Sequence, residues 1–124
     1  MSDWVVDKSG DTGKNITLRV SGFITKSFTI PQTIFDFSEL RLNPSKIRFE
    51  SVVFAIQEKM GMYLWWKGKE SNKTLILPLE SRGAFNFEAM QYLHSPEDAL
   101  GMSFTTFGVD TPKAFLLIID LGAQ

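Results

Sequence analysis

The stretch Met62–Glu80, MYLWWKGKESNKTLILPLE, sets two apolar runs either side of a polar loop and carries a tandem Trp65-Trp66. Neighbouring side chains on a β-strand point to opposite faces, so both indoles cannot enter one core. Met62, Leu64 and Trp66 share one face, and Tyr63, Trp65 and Lys67 share the other. The reading as strand, loop and strand makes Trp65 a question of what covers it.

The same period of two extends in both directions. KNITLRVSGFI alternates Ile16, Leu18 and Val20 against Thr17, Arg19 and Ser21, as a half-buried strand does. KSFTIP is expected to continue it through Phe28 and Ile30 as far as Pro31, and TIFDF to follow with Phe35 and Phe37 inward. In KIRFESVVFAIQEK the register changes midway: Ile47 and Phe49 lie on one face, but Val52, Phe54 and Ile56 on the other. A bulge near Glu50-Ser51 reconciles them. The KMG that follows reads as a hairpin turn with Gly61 at positive φ, and Pro78 marks an edge strand or a bulge in KTLILPLE. RGAFNFE is a further short strand with Phe85 and Phe87.

SPEDAL carries helix-start chemistry, with Ser95 as N-cap, Pro96 at the first position and acids in the first turn. LGMSFTTFG and KAFLLIIDL are two strands whose short VDTP connection predicts an antiparallel hairpin. Strands every ten residues or so, punctuated by Gly, Pro, Asn and Ser, predict an all-β antiparallel sandwich or jelly-roll-like barrel with one short helical turn. The 124 residues form one domain, 1–124, without repeat or linker. Phe54, Leu64, Trp66, Phe104 and Leu117 are its expected core members.

Composition narrows function more than it defines it. A net charge of −1 argues against a nucleic-acid partner. No Cys is present, and the only His is His94, so the usual zinc ligand sets cannot be assembled. No G-x-S-x-G elbow surrounds a serine, and no Gly-rich phosphate loop occurs. The acid pairs Asp36/Glu39 and Glu97/Asp98 are of a kind any acidic loop offers. DKSGDTG at 7–13 lacks the ligand alternation of a calcium loop. The beginning MSDWVVDKSGD has no apolar signal core, and AFLLII at 114–119 is too short to span a bilayer. The expectation is a protein with no enzymatic activity, metal or cofactor, and with no membrane partner. Eleven Phe and three Trp against two Tyr bias the chain toward dry packing.

From about Trp4 onward, the order of features resembles a family of small virion proteins of tailed bacteriophages. The matching elements are Leu64-Trp65-Trp66 for an LxW strand, then Leu79 to Phe87 (LESRGAFNF) for an L…G…F(D/N)F segment. The Pro-containing loop LHSPEDAL, the GMSFTTFG strand and the closing KAFLLIIDLG follow in order. The chain departs from that pattern at Trp65, usually polar, at Lys67, where an acid is usual, and in its end, DLGAQ. The resemblance implies a virion structural protein made in the host cytoplasm: a cement or decoration protein that ties major-capsid subunits together. A neck or tail component is the alternative position.

The resemblance also places its recurring tryptophan at Trp66, which makes Trp66 the core residue and Trp65 the outward one. The expected partner contacts are Tyr63, Trp65, Lys67 and Lys69 with the KGKESNK loop, and Trp4 on an N-terminal arm free to reach a neighbour. The partners would be capsid or other virion proteins, with a homo-oligomer possible. A carbohydrate-binding module stacking Tyr63 and Trp65 on a sugar is the competing reading.

Overall fold

The computed structural model describes residues 3–12, 14–40, 46–70 and 72–123. Ser2, Gly13, Ser71 and Gln124, which belong to segments singled out above, lie outside the described residues. The described residues form ten strands: β1 Asp3–Ser9, β2 Asn15–Ile24, β3 Gln32–Asp36, β4 Ile47–Ile56, β5 Gly61–Lys67, β6 Lys73–Glu80, β7 Arg82–Asn86, β8 Leu93–His94, β9 Gly101–Phe107 and β10 Lys113–Ala123. They make two antiparallel sheets, ordered β1-β2-β10-β4-β7 with β8 also on β4, and β3-β9-β5-β6. Setting β2-β10-β4-β7 against β3-β9-β5-β6 is the jelly-roll order, in which two Greek keys close on each other.

Alternation places the core as the sequence predicts. Leu18 and Val20 of β2, Phe54 of β4, Leu64 and Trp66 of β5, Phe104 of β9 and Leu117 of β10 are all buried between the sheets. The change of face in β4 is a bulge: Asp120 pairs with Ser51 but Leu121 with Phe49, so Glu50 is the extra residue. Ile47 and Phe49 therefore return to the core side. Pro78 lies on β6, an edge strand, whose own register shift falls between Leu75 and Leu77.

Both expected hairpins are overturned. β4 pairs with β10 and β7, whereas β5 pairs with β6 and β9, so the KMG segment crosses from one sheet to the other. β9 and β10 likewise belong to opposite sheets, and VDTP is a crossing. Short connections made hairpins the natural reading, but a sandwich about 10 Å thick is also spanned by a few residues. The residue at positive φ before β5 is Lys59, at 71°, and not Gly61. Gly61 is needed for space, because a Cβ there would run into the Phe107 ring.

The other differences have equally local causes. SPEDAL forms a turn closed by the Ala99 N–H on the Pro96 carbonyl. Ser95 is buried, and its hydroxyl accepts from the Ile47 N–H at 2.9 Å instead of capping a helix. The helical turns are 3₁₀ segments at Phe37–Glu39 and Glu88–Met90. β2 ends at Ile24; Phe28 is half-buried and Ile30 exposed on the crossing to β3.

The first 3₁₀ turn carries a pH-sensitive tie. Glu39 accepts from the Asp36 N–H at 2.7 Å and from Lys8 of β1 at 2.9 Å. The Asp36 backbone bond first, and Lys8 second, hold its carboxyl below the ordinary glutamate value. A lowered folded pKa contributes stability that is complete above the unfolded value and is lost as pH falls through the folded one. Both side chains are substantially exposed, at 33% and 45%, so the contribution stays below about 1 kcal/mol. Glu39→Gln is expected to cost a few tenths of a kcal/mol at pH 7 and progressively less as the pH is lowered through the acid range, read by urea denaturation across a pH series.

Candidate functional site

The outer face of the four-stranded sheet holds three of the expected contact residues. With Met62, Leu64 and Trp66 inward, β5 turns Tyr63, Trp65 and Lys67 outward. Phe107 lies over the bare backbone of Gly61, its ring 5.2 Å from Tyr63, and Tyr63 is 5.9 Å from Trp65. Leu75 and Pro78 of β6 stand opposite Trp65 and Tyr63 in the ladder. Tyr63, Leu75 and Phe107 are 36%, 47% and 42% exposed, so the aromatic row Phe107-Tyr63-Trp65 is open at Phe107 and Tyr63, half-buried at Trp65, and flanked by Leu75 and Pro78.

Electrostatics shape this row. The Trp65 indole N–H donates to the Thr105 hydroxyl at 3.0 Å, which fixes the ring. The Lys73 ammonium sits 4.3 Å from the centre of that ring, a cation–π contact. Lys67 donates to Asp36 at 2.6 Å. Lys69 is exposed in the loop that the Gly68 N–H closes on the Asn72 carbonyl. The Tyr63 and Trp65 planes are inclined at 55°, and Lys73 already occupies one indole face, so the row is corrugated.

Trp4 does not join this face. β1 pairs with β2 from Asp3 to Ser9, so the N-terminal strand is no free arm. The indole packs edge-on against Phe104, 4.9 Å between ring centres. Trp4 is thus part of the packing that closes the sandwich, where the sequence suggested a contact for a neighbour.

The residues weighed for chemistry are spread apart or occupied. The His94 Nε2 is 2.9 Å from the Gln91 carbonyl. Asp36 and Glu39 are committed to Lys67 and Lys8. Among the described residues no group of three or more His, Cys, Asp or Glu side chains is placed to hold a metal, and no helix is long and apolar enough to cross a membrane.

A second face escaped the sequence reading. On the outside of the larger sheet, β10 presents Leu116 and Ile118 between Ser21 and Ala55, and between Arg19 and Val53. Val5, Phe23 and Val53 on the same surface are 53%, 59% and 52% exposed. The run AFLLII, read from the sequence as a strand too short to span a bilayer, is apolar on both faces of β10. Its outward set, Leu116 and Ile118, is only half-buried, and by its own sheet neighbours.

No protein-family model matches the chain, and no curated protein matches it. Solved structures with some similarity include "FeII HppE", at TM-score 0.38 and 9% identity over 94% of this chain and 50% of that one. A cupin domain from Bordetella pertussis Tohama I reaches 0.37 at 10% identity, over 94% and 91%. A carbohydrate-binding-module structure, "CBM4 structure and function", reaches 0.39 at 8% identity, over 98% and 94%. This chain spans half the length of the first of these. At such identities and TM-scores they carry no argument about what this chain binds.

Proposed function

We propose that this chain is a non-enzymatic association module and, on the resemblance described above, a structural protein of a bacteriophage particle, most simply a cement or decoration protein on the capsid shell. The observation that carries the association is the aromatic row of exposed Phe107 and Tyr63 with half-buried Trp65 on the outer sheet face, rimmed by Lys73 and the Lys67–Asp36 pair. Exposed apolar patches with polar rims mark interaction surfaces, and aromatic anchors supply most of the binding energy in such surfaces. Jelly rolls serve in viral capsids, lectins and cupins alike, so the fold leaves function to the surface. The 55° inclination of Tyr63 to Trp65 suits a corrugated protein partner better than the flat face of a sugar ring.

The test is particle purification followed by quantitative mass spectrometry. The wild-type chain is expected in the particle at a fixed ratio to the major capsid protein. Trp65→Ala and Tyr63→Ala, with unchanged β-sheet circular dichroism, are each expected to lower that occupancy about tenfold or more. A chain absent from purified particles overturns the reading. Retention on a polysaccharide gel that Trp65→Ala abolishes would put a sugar in place of the capsid.

A further inference from the structure

We infer that the outer face of the larger sheet is a self-association surface, on which a second copy of this chain docks about a two-fold axis running along β10. The face is apolar along β10 and β4, with Asp3 and Asp7 on one edge, Arg82 on the other, and Arg19 of β2 one strand in, opposite Asp7. Three cross-strand rows define it: Asp3, Phe23 and Ala114; Val5, Ser21, Leu116, Ala55 and Arg82; Asp7, Arg19, Ile118, Val53 and Ala84. A polar row of Thr17, Asp120, Ser51 and Asn86 bounds it, with Asp120 accepting from Thr17 and Ser51 at 2.6 and 3.0 Å.

Charge selects the partner and the axis. β10 is the middle strand of β1-β2-β10-β4-β7. A two-fold axis parallel to it sets β10 on β10 and lays β1 of each copy over β7 of the other. Arg82 of β7 stands in the row of Val5, between the rows of Asp3 and Asp7. The rotation therefore brings Arg82 of one copy between Asp3 and Asp7 of the other, with outward residues spaced about 7 Å along β1. A two-fold axis across the strands would instead set β1 on β1 and oppose aspartate with aspartate. The self-complementary arrangement is the one in which residue i meets residue j and j meets i, as closed dimers require. Leu116 and Ile118 pack at its centre, and the Arg19 stem lies along Val53.

The size of the face sets the strength. Five strands spaced about 4.8 Å apart, over about 20 Å of strand length, give roughly 400–500 Å² of flat area per copy. That is the lower end of specific interfaces, so the dimer is reversible and dissociates in the range of roughly 1–100 μM. This surface is separate from the aromatic row, so the dimer stands or falls independently of the capsid reading.

Sedimentation velocity of the isolated chain from about 1 to 500 μM tests it. The expected result is a concentration-dependent shift from monomer to dimer. Leu116→Lys is expected to leave only monomer. Arg82→Glu should raise the dissociation constant about tenfold or more, and adding Asp3→Arg and Asp7→Arg to it should restore dimerisation. The reversed charges fold independently of the apolar change, so they test the geometry even where Leu116→Lys is unstable. A wild-type chain that stays monomeric throughout overturns the inference. So does a dimer indifferent to Arg82→Glu, or one the triple reversal fails to restore.

Discussion

Trp66→Ala lowers the unfolding free energy by about 3–5 kcal/mol, while Trp65→Ala, one residue away, costs only about 1–2 kcal/mol. Trp66 is 3% exposed and meets Phe37 edge-on at 6.3 Å, so truncation leaves a cavity between the sheets. Trp65 loses its bond to Thr105, its contact with Tyr63 and the cation above it, but water fills the space it vacates. Urea denaturation of both variants gives the comparison, with unchanged slopes confirming that the transition remains two-state. Equal costs would mean that the two indoles share one environment, contrary to their alternation along β5.

Phe104→Ala carries a comparable penalty of about 3–5 kcal/mol, at the upper end because paired rings add about 0.5–1.5 kcal/mol beyond buried area. The fully buried Phe104 ring touches Trp4 at 4.9 Å, Phe28 at 6.0 Å and Phe115 at 6.0 Å. It thus joins β1, the crossing from β2 to β3, and β10. Its loss should also speed amide hydrogen exchange along β1, an edge strand held on one side by β2 alone. Phe104→Leu, which keeps most of the volume, should recover more than half of the stability and the exchange protection. Exchange in β1 that stays at the wild-type rate in Phe104→Ala would remove Phe104 from that role.

The legible part of the fold was the part written in single strands. Ile16, Leu18 and Val20 alternate against Thr17 and Arg19, and the misplaced register of Ile47-Phe49 against Val52-Phe54 announced a bulge that the ladder places at Glu50. The candidate site was readable to the same extent. Tyr63, Trp65 and Lys67 had to share a face because a strand allows nothing else. Phe107 was missed because its place beside Tyr63 depends on β9 lying next to β5, more than thirty residues away in the chain. The free arm expected around Trp4 fails for the converse reason: its strand partner β2 and its ring partner Phe104 are not visible locally, and Phe104 is remote in the chain.

By itself, then, the sequence determined the all-β class, the strands and which side chains point the same way within each, since these follow from local backbone geometry and apolar burial. Only the tertiary structure decided which sheet each strand joins. KMG and VDTP read as hairpins and prove to be crossings. It also decided which apolar faces are covered: the same alternation buries Leu117 at 0% yet leaves Leu116 on an open surface. Period two distinguishes two sides of a strand, but only a partner sheet, which no local pattern names, makes one of them the inside.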